Sequence, residues 1–164
     1  MLEKNKELWE RCVAFHGHAC GGLAVGYQAS LYAMELLGVS GRAQDEELVC
    51  VTENDACGVD AVQAVLGCTV GKGNLIFRMT GKQAFNFFDR QSGKGVRLLL
   101  RATPGLSRQE RESWLMHGDF HEMFDVGPAR AVLPETARIF KTCTCAKCGE
   151  RMAESHAHLQ NGEI

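Results

Sequence analysis

Two histidines and a cysteine fall within five positions in the segment His16-Gly17-His18-Ala19-Cys20. Gly17 permits a sharp backbone turn, so two imidazoles and a thiol can converge rather than splay. Cys20 stands at the start of the helix that the following residues predict, where free backbone N–H groups and the helix dipole favour thiolate over thiol. Imidazole and thiolate together form a ligand set that zinc, iron or nickel accepts. A capping histidine beside a structural cysteine explains one residue of each type; two histidines and a cysteine this close fit a site better. Cys57 repeats the stereochemistry, because it follows the polar loop Glu53-Asn54-Asp55 and precedes Gly58-Val59-Asp60, the opening of another helix. The carboxyl end of a strand leading into a helix is where α/β-type sheets place reactive groups. His16, His18, Cys20 and Cys57 are therefore the expected metal ligands, converging in one cleft. Of these, Cys57, His16 and His18 are the expected catalytic groups, with Asp55 or Asp60 in support.

Two further segments carry candidate chemistry. The glycine-rich stretch from Gly67 to Asn74 lacks the GxxxxGK[ST] spacing of a phosphate loop and reads as a turn. Lys72 within it joins the catalytic candidates as a group that could orient an anionic substrate. The segment Cys145-Ala146-Lys147-Cys148-Gly149-Glu150 has the CxxC-G form of a zinc knuckle. Cys145 and Cys148 supply two of the four ligands that a structural zinc requires, leaving Cys143, His156, His158 or another chain to complete it. A CxxC redox motif normally opens a helix within a βαβ unit, whereas this one sits near the end of the chain. Cys12, beside Val13 on the first helix, and Cys50, inside an apolar strand, read as core hydrophobes.

The elements that must hold these groups follow from periodicity. Apolar positions Leu8, Trp9, Cys12 and Val13 predict a helix over Leu2–Phe15. A second runs over Cys20–Leu37 and stops at Gly38, and its small residues Gly22, Gly26, Ala29 and Ala33 let a neighbour approach closely. Glu47–Thr52 reads as a buried strand and Gly58–Leu66 as a short helix. Strands are expected over Leu75–Thr80, Ala84–Asp89, Val96–Arg101 and Ala131–Phe140. A helix is expected over Arg108–His117, extended or followed by His121–Phe124. Helices, then a mixed sheet, then helices predict an α+β fold: a mixed β-sheet flanked by helices, with a short Cys-rich C-terminal appendage. The division falls into a core domain over 1–140 and a partial zinc-knuckle tail over 141–164.

Composition limits the partners. The 164 residues are 45% hydrophobic and 23% charged, as in an ordinary globule. Eighteen basic against 20 acidic side chains give a net charge of −2, with no basic field to gather nucleic acid or anionic lipid. No run approaches the ~18 apolar residues of a membrane span, and the charged start lacks an apolar leader core, so a cytoplasmic protein is expected. Eight cysteines amount to about 5% of the chain, below the level of a disulfide scaffold.

Three strings in order resemble the family of formylmethanofuran dehydrogenase E subunits (FmdE): Phe15-His16-Gly17-His18-Ala19-Cys20-Gly21-Gly22, the run from Glu53 to Gln63, and the run from Gly67 to Leu75. The tail from Cys145 to Glu150 resembles the zinc finger that many members append. Two departures stand out: Gly21 replaces a frequent proline, and the tail lacks a second cysteine pair. The resemblance implies an α+β core, usually dimeric, with an active site at the HGH and DAC motifs that can hold zinc. It also implies a place in anaerobic one-carbon metabolism, including methanogenesis. Three functions follow. The first is a metal-dependent enzyme or oxidoreductase subunit, with zinc, iron or nickel as cofactor. The second is a non-catalytic metal carrier or accessory factor for a molybdenum or tungsten enzyme. The third is a thiol redox module using Cys20, Cys57 or Cys68. A two-fold homodimer is expected from the family and from the small-residue helix face.

Overall fold

A computed structural model of the chain describes residues 5–136, 139–162 and 164. Helix α1 (Lys6–His16) ends at Gly17, which adopts φ +94° and returns its N–H to the Val13 carbonyl at 2.8 Å. Helix α2 (Gly21–Leu37) follows, then strand β1 (Leu48–Thr52), helix α3 (Gly58–Leu66) and strand β2 (Leu75–Phe77). Strands β3 (Ala84–Asp89) and β4 (Gly95–Leu100) form a hairpin, followed by helices α4 (Arg108–His117) and α5 (Phe120–Met123) and strand β5 (Phe124–Pro128). The five strands make one sheet in the order β2-β1-β3-β4-β5, with β1 and β2 parallel and the other neighbours antiparallel. The fold is α+β, a mixed sheet with flanking helices. The Cys-rich C-terminal region adds β6 (Thr142–Thr144) and β7 (Arg151–Ala153), which pair only with each other.

Strand alternation gives the sheet two different faces. Leu48, Cys50, Phe85, Phe87 and Leu98 point to the helices and share their core. Val49, Val51 and Phe88 point to the other side, where Ala129, Ala131 and Leu133 cover them. Ala131–Phe140, expected as a strand, makes none among its described residues; Ala137 and Arg138 lie outside them. Ala131 and Leu133 are partly buried by lying across the sheet, while Val132, Ile139 and Phe140 stay exposed, and Arg90 donates to the carbonyls of Pro134 at 2.7 Å and Glu135 at 3.1 Å. β5 forms the edge beside β4, and its terminal Pro128 is tolerated because an edge needs no second ladder. Expected Leu75–Thr80 is likewise shorter, since the chain leaves the ladder after Phe77. Thr80 and Gly81 turn their N–H groups to the Glu53 carbonyl.

The second face holds a buried ion pair. Arg97 grips Glu53 through Nε to Oε1 at 2.6 Å and Nη2 to Oε2 at 2.9 Å, a two-pronged contact with both side chains nearly enclosed. Asn86 donates to Glu53 Oε1 and Thr80 to Oε2, so the carboxylate is fully partnered. The Arg97 guanidinium is the main reason the Glu53 carboxyl falls to about 2.

Helix α2 is buried almost all round, as befits a central helix. Its Gly22 and Gly26 meet α3 backbone to backbone: a Cβ on Gly26 would overlap the Gly58 carbonyl, and one on Gly58 would lie 3.0 Å from Gly26 N. The close neighbour foreseen for this face is therefore α3 of the same chain. Ala29 and Ala33 are also fully buried. The face is not available to a second copy, so it gives a homodimer no support.

Gly26→Ala is expected to cost on the order of 3 kcal/mol or more in urea unfolding, because neither backbone can yield, whereas Gly71→Ala, with open space around it, stays near neutral. The Glu53 pair has its own signature. A carboxyl whose folded pKa lies below its ordinary value stabilises fully above that value and loses the contribution as pH falls toward about 2. Glu53→Gln should flatten the stability profile in that acid window. Arg97→Met should cost about 3 kcal/mol at neutral pH by stranding the carboxylate.

Candidate metal centre

The α2–α3 contact sets two helix heads side by side. Cys20 is the N-cap of α2, and its sulfur accepts the Leu23 N–H at 3.3 Å. Cys57 immediately precedes α3. A Cβ placed on Gly22 would lie 3.2 Å from Cys57 Cβ and 3.5 Å from its sulfur, so glycine there is a condition of the approach. The loop leading to Cys57 is held by its own side chains. Thr52 Oγ1 donates to the Asn54 carbonyl at 2.7 Å, and Asn54 Oδ1 accepts the Ala56 N–H at 3.2 Å. Asn54 Nδ2 reaches the Lys82 carbonyl at 3.1 Å.

His16 closes the group from the end of α1. Its candidate ligand atom and the sulfurs of Cys20 and Cys57 all lie within 4.8 Å of one another. Nε2 faces Cys20 Sγ at 4.0 Å, while Nδ1 lies 2.7 Å from Asp60 Oδ2. Asp60 Oδ1 in turn accepts from Gln63 Nε2 at 3.2 Å. A carboxylate on one imidazole nitrogen fixes the ring and directs the other nitrogen toward a metal. A single ion with bonds of roughly 2.0–2.3 Å holds its ligand atoms about 3.5 Å apart, which these side chains reach with small rotations. Burial, and next the neighbouring Cys20, push the Cys57 thiol up. Metal binding must displace its proton, so affinity rises with pH.

His18 belongs to the surroundings of this group rather than to it. Its exposed ring lies 4.5 Å from that of His16, tilted by 35°. Lys72 does not join. It precedes β2, at the opposite end of the sheet from the Cys57 loop, because α3 carries the chain back across between them. Its Nζ donates to the carbonyls of Ala43 at 3.2 Å and Asp45 at 2.8 Å, a loop-fastening role. Cys12 and Cys50 are core residues, as read from the sequence. Cys68 is also fully enclosed, and burial pushes its thiol up to about 12, which removes it from thiolate chemistry.

In the tail, Gly149 turns at φ +75° and donates to the Cys145 carbonyl at 2.8 Å, a tight knuckle. Backbone N–H groups of Cys148 and Lys147 hold the Cys145 thiol below its ordinary range. Among the described residues, His16, Cys20 and Cys57 are the one group of three at metal distance, so no third donor joins Cys145 and Cys148. Cys143 Sγ donates instead to the Met152 carbonyl at 3.5 Å.

Sequence reasoning gives Asp60 only a supporting place, although its position three residues after Cys57 puts both on one face of α3's first turn. It misses the Glu53–Arg97 pair. The available signal is Arg97 between apolar neighbours in a strand, marking a second, polar face.

Known proteins agree with this architecture. The profile of the family described as "FmdE, Molybdenum formylmethanofuran dehydrogenase operon" matches residues 15–148. An Archaeoglobus fulgidus protein named "Probable S-adenosyl-L-methionine-binding protein" is 31% identical over 172 residues, covering 85% of this chain. The chain spans 47% of that relative's length, so its name describes a protein about twice this size. Among solved structures, an FmdE-like protein of the tungsten formylmethanofuran dehydrogenase type from Syntrophus aciditrophicus superposes with a TM-score of 0.66 at 24% identity. That likeness covers 93% of this chain and 87% of the other, and it shows the shared fold. With three ordered motifs and most of its length matched, the chain belongs to the FmdE family.

Proposed function

We propose that His16, Cys20 and Cys57 hold one transition-metal ion, zinc being the best fit, in an enzyme or oxidoreductase subunit of one-carbon metabolism. The observation that carries this is the convergence of one imidazole and two thiols within 4.8 Å, with the imidazole oriented by Asp60. Two thiolates and a neutral imidazole balance a divalent charge, which suits a half-buried site. When bound, such an ion with an open position polarises an oxygen of a small substrate. Asp60 keeps the His16 proton on Nδ1. His18, exposed beside the cluster, would take a proton at its ring from a bound substrate. Cys57 would serve as a ligand beside Cys20. Lys72 has no part in this reading.

The family's description by the operon of a molybdenum enzyme favours a second reading, a metal carrier or accessory factor for a molybdenum or tungsten oxidoreductase. The nearness of the Cys20 and Cys57 sulfurs keeps a thiol redox module as the third. A homodimer is read from the family resemblance, and a cytoplasmic location from the composition of the chain. The tail over 141–164 is read as a separate knuckle whose Cys145 and Cys148 bind zinc with ligands from elsewhere.

Elemental analysis of anaerobically purified protein tests this. Cys20→Ser or Cys57→Ser should each remove one equivalent of metal, and Lys72→Gln should remove none. Asp60→Asn should weaken metal affinity roughly 10–100-fold in competition with a chromophoric chelator. Metal retained in Cys57→Ser but lost in Cys145→Ser would assign all of it to the tail and sink the proposal. Metal-free protein with a Cys20–Cys57 disulfide by mass spectrometry would favour the redox reading.

A further inference from the structure

We propose that the sheet face away from the helices carries a second site, which binds a small oxyanion, phosphate or carboxylate, between Arg78, Lys82 and Arg130. These three side chains rim a cavity of about 180 Å³ whose floor is Val51, Glu53 and Asn86. That volume is far above the ~10–15 Å³ that admits one water.

The charge balance of the cavity is one-sided. Among the described residues that line it, the one acidic side chain, Glu53, is saturated by Arg97, Asn86 and Thr80. Among the described residues, no hydrogen bond or ion pair engages the side chains of Arg78, Lys82 or Arg130. Three cations around one concavity repel each other and focus a positive potential into it, which a bound anion relieves. Two of them are guanidiniums, whose planar forks suit the paired oxygens of phosphate and carboxylate.

Each cation stands on fastened backbone, so the points from which the three side chains reach the cavity are fixed. Arg78 donates its N–H to the Thr52 carbonyl at 2.9 Å. The Lys82 carbonyl accepts from Asn54 Nδ2 at 3.1 Å and from the Ala84 N–H at 2.7 Å. Arg130 donates its N–H to Asn86 Oδ1 at 2.8 Å. The fastenings reach into the polar network under the cavity, so the rim cannot spread without breaking buried hydrogen bonds. Holding side chains on fixed backbone lowers the ordering cost of binding.

Calorimetry of the full chain with inorganic phosphate, and separately with succinate, which chelates metals only weakly, tests the site apart from the metal centre. Saturable binding by either anion is expected, with the tighter one identifying the phosphate or carboxylate source. The double variant Arg78→Gln/Arg130→Gln should weaken it by at least roughly tenfold, while Arg11→Gln, a surface arginine on α1, leaves it unchanged. Lys82→Gln alone should weaken it in the same direction, and all three sites are exposed, so folding is preserved. No saturable binding below about 20 mM of either anion, or binding that the double variant leaves intact, overturns the proposal. A dimer that the double variant dissociates without added anion also overturns it, assigning the face to a second copy.

Discussion

The backbone contact between Gly26 and Gly58 is the constraint on which the rest of the arrangement depends. Two helices normally keep roughly 8–10 Å between axes because side chains intervene. Here glycine on both sides removes the spacer. The helix heads then stand close enough for Cys20 and Cys57, one before each helix, to face each other. The His16–Asp60 bond adds the third helix, joining the end of α1 to the first turn of α3. No ligand residue sits in mid-element. Each occupies a helix terminus, where backbone groups lack intrahelical partners and a short change in direction can aim a side chain.

The same loop links the two faces of the sheet. Glu53 ends its run on the polar face under Arg97, and four residues later Cys57 opens α3 on the helical face. Asn54, between them, binds the carbonyl that fixes Lys82. A disturbance of the buried ion pair therefore reaches the cysteine through three intervening residues. Burying such a pair is seldom the most stable solution for a sheet. Its value here is positional, since a carboxylate held from several directions cannot shift register.

Much of this is legible in the sequence. Gly58–Leu66, Ala84–Asp89 and Arg108–His117 have the boundaries read from periodicity, because each is bounded by glycine, serine or charged turns. The candidate cluster is also visible, since HGHxC and DAC put soft ligands at element ends. What escapes is non-local. Ala131–Leu133 has strand composition, yet its burial comes from the sheet face below it, which no window of neighbours reveals. Lys72 looks chemical because glycines surround it, but its partners Ala43 and Asp45 lie 27 or more residues away in sequence. His18 shares a motif with His16, yet the left-handed turn at Gly17 sends it outward while His16 faces α3.

The enclosed cysteines sort the thiols of this chain into two populations. Burial pushes Cys12 up to about 11 and Cys68 up to about 12, and it raises Cys50 well beyond its ordinary value. At neutral pH these three are inert to alkylating and oxidising reagents while the fold is intact. The remaining five, Cys20, Cys57, Cys143, Cys145 and Cys148, are reachable to different degrees. Thiol labelling is therefore an internal gauge of the molecule. Modification of the first group reports unfolding, and protection within the second reports occupation of a centre, so one reagent distinguishes loss of structure from loss of a ligand.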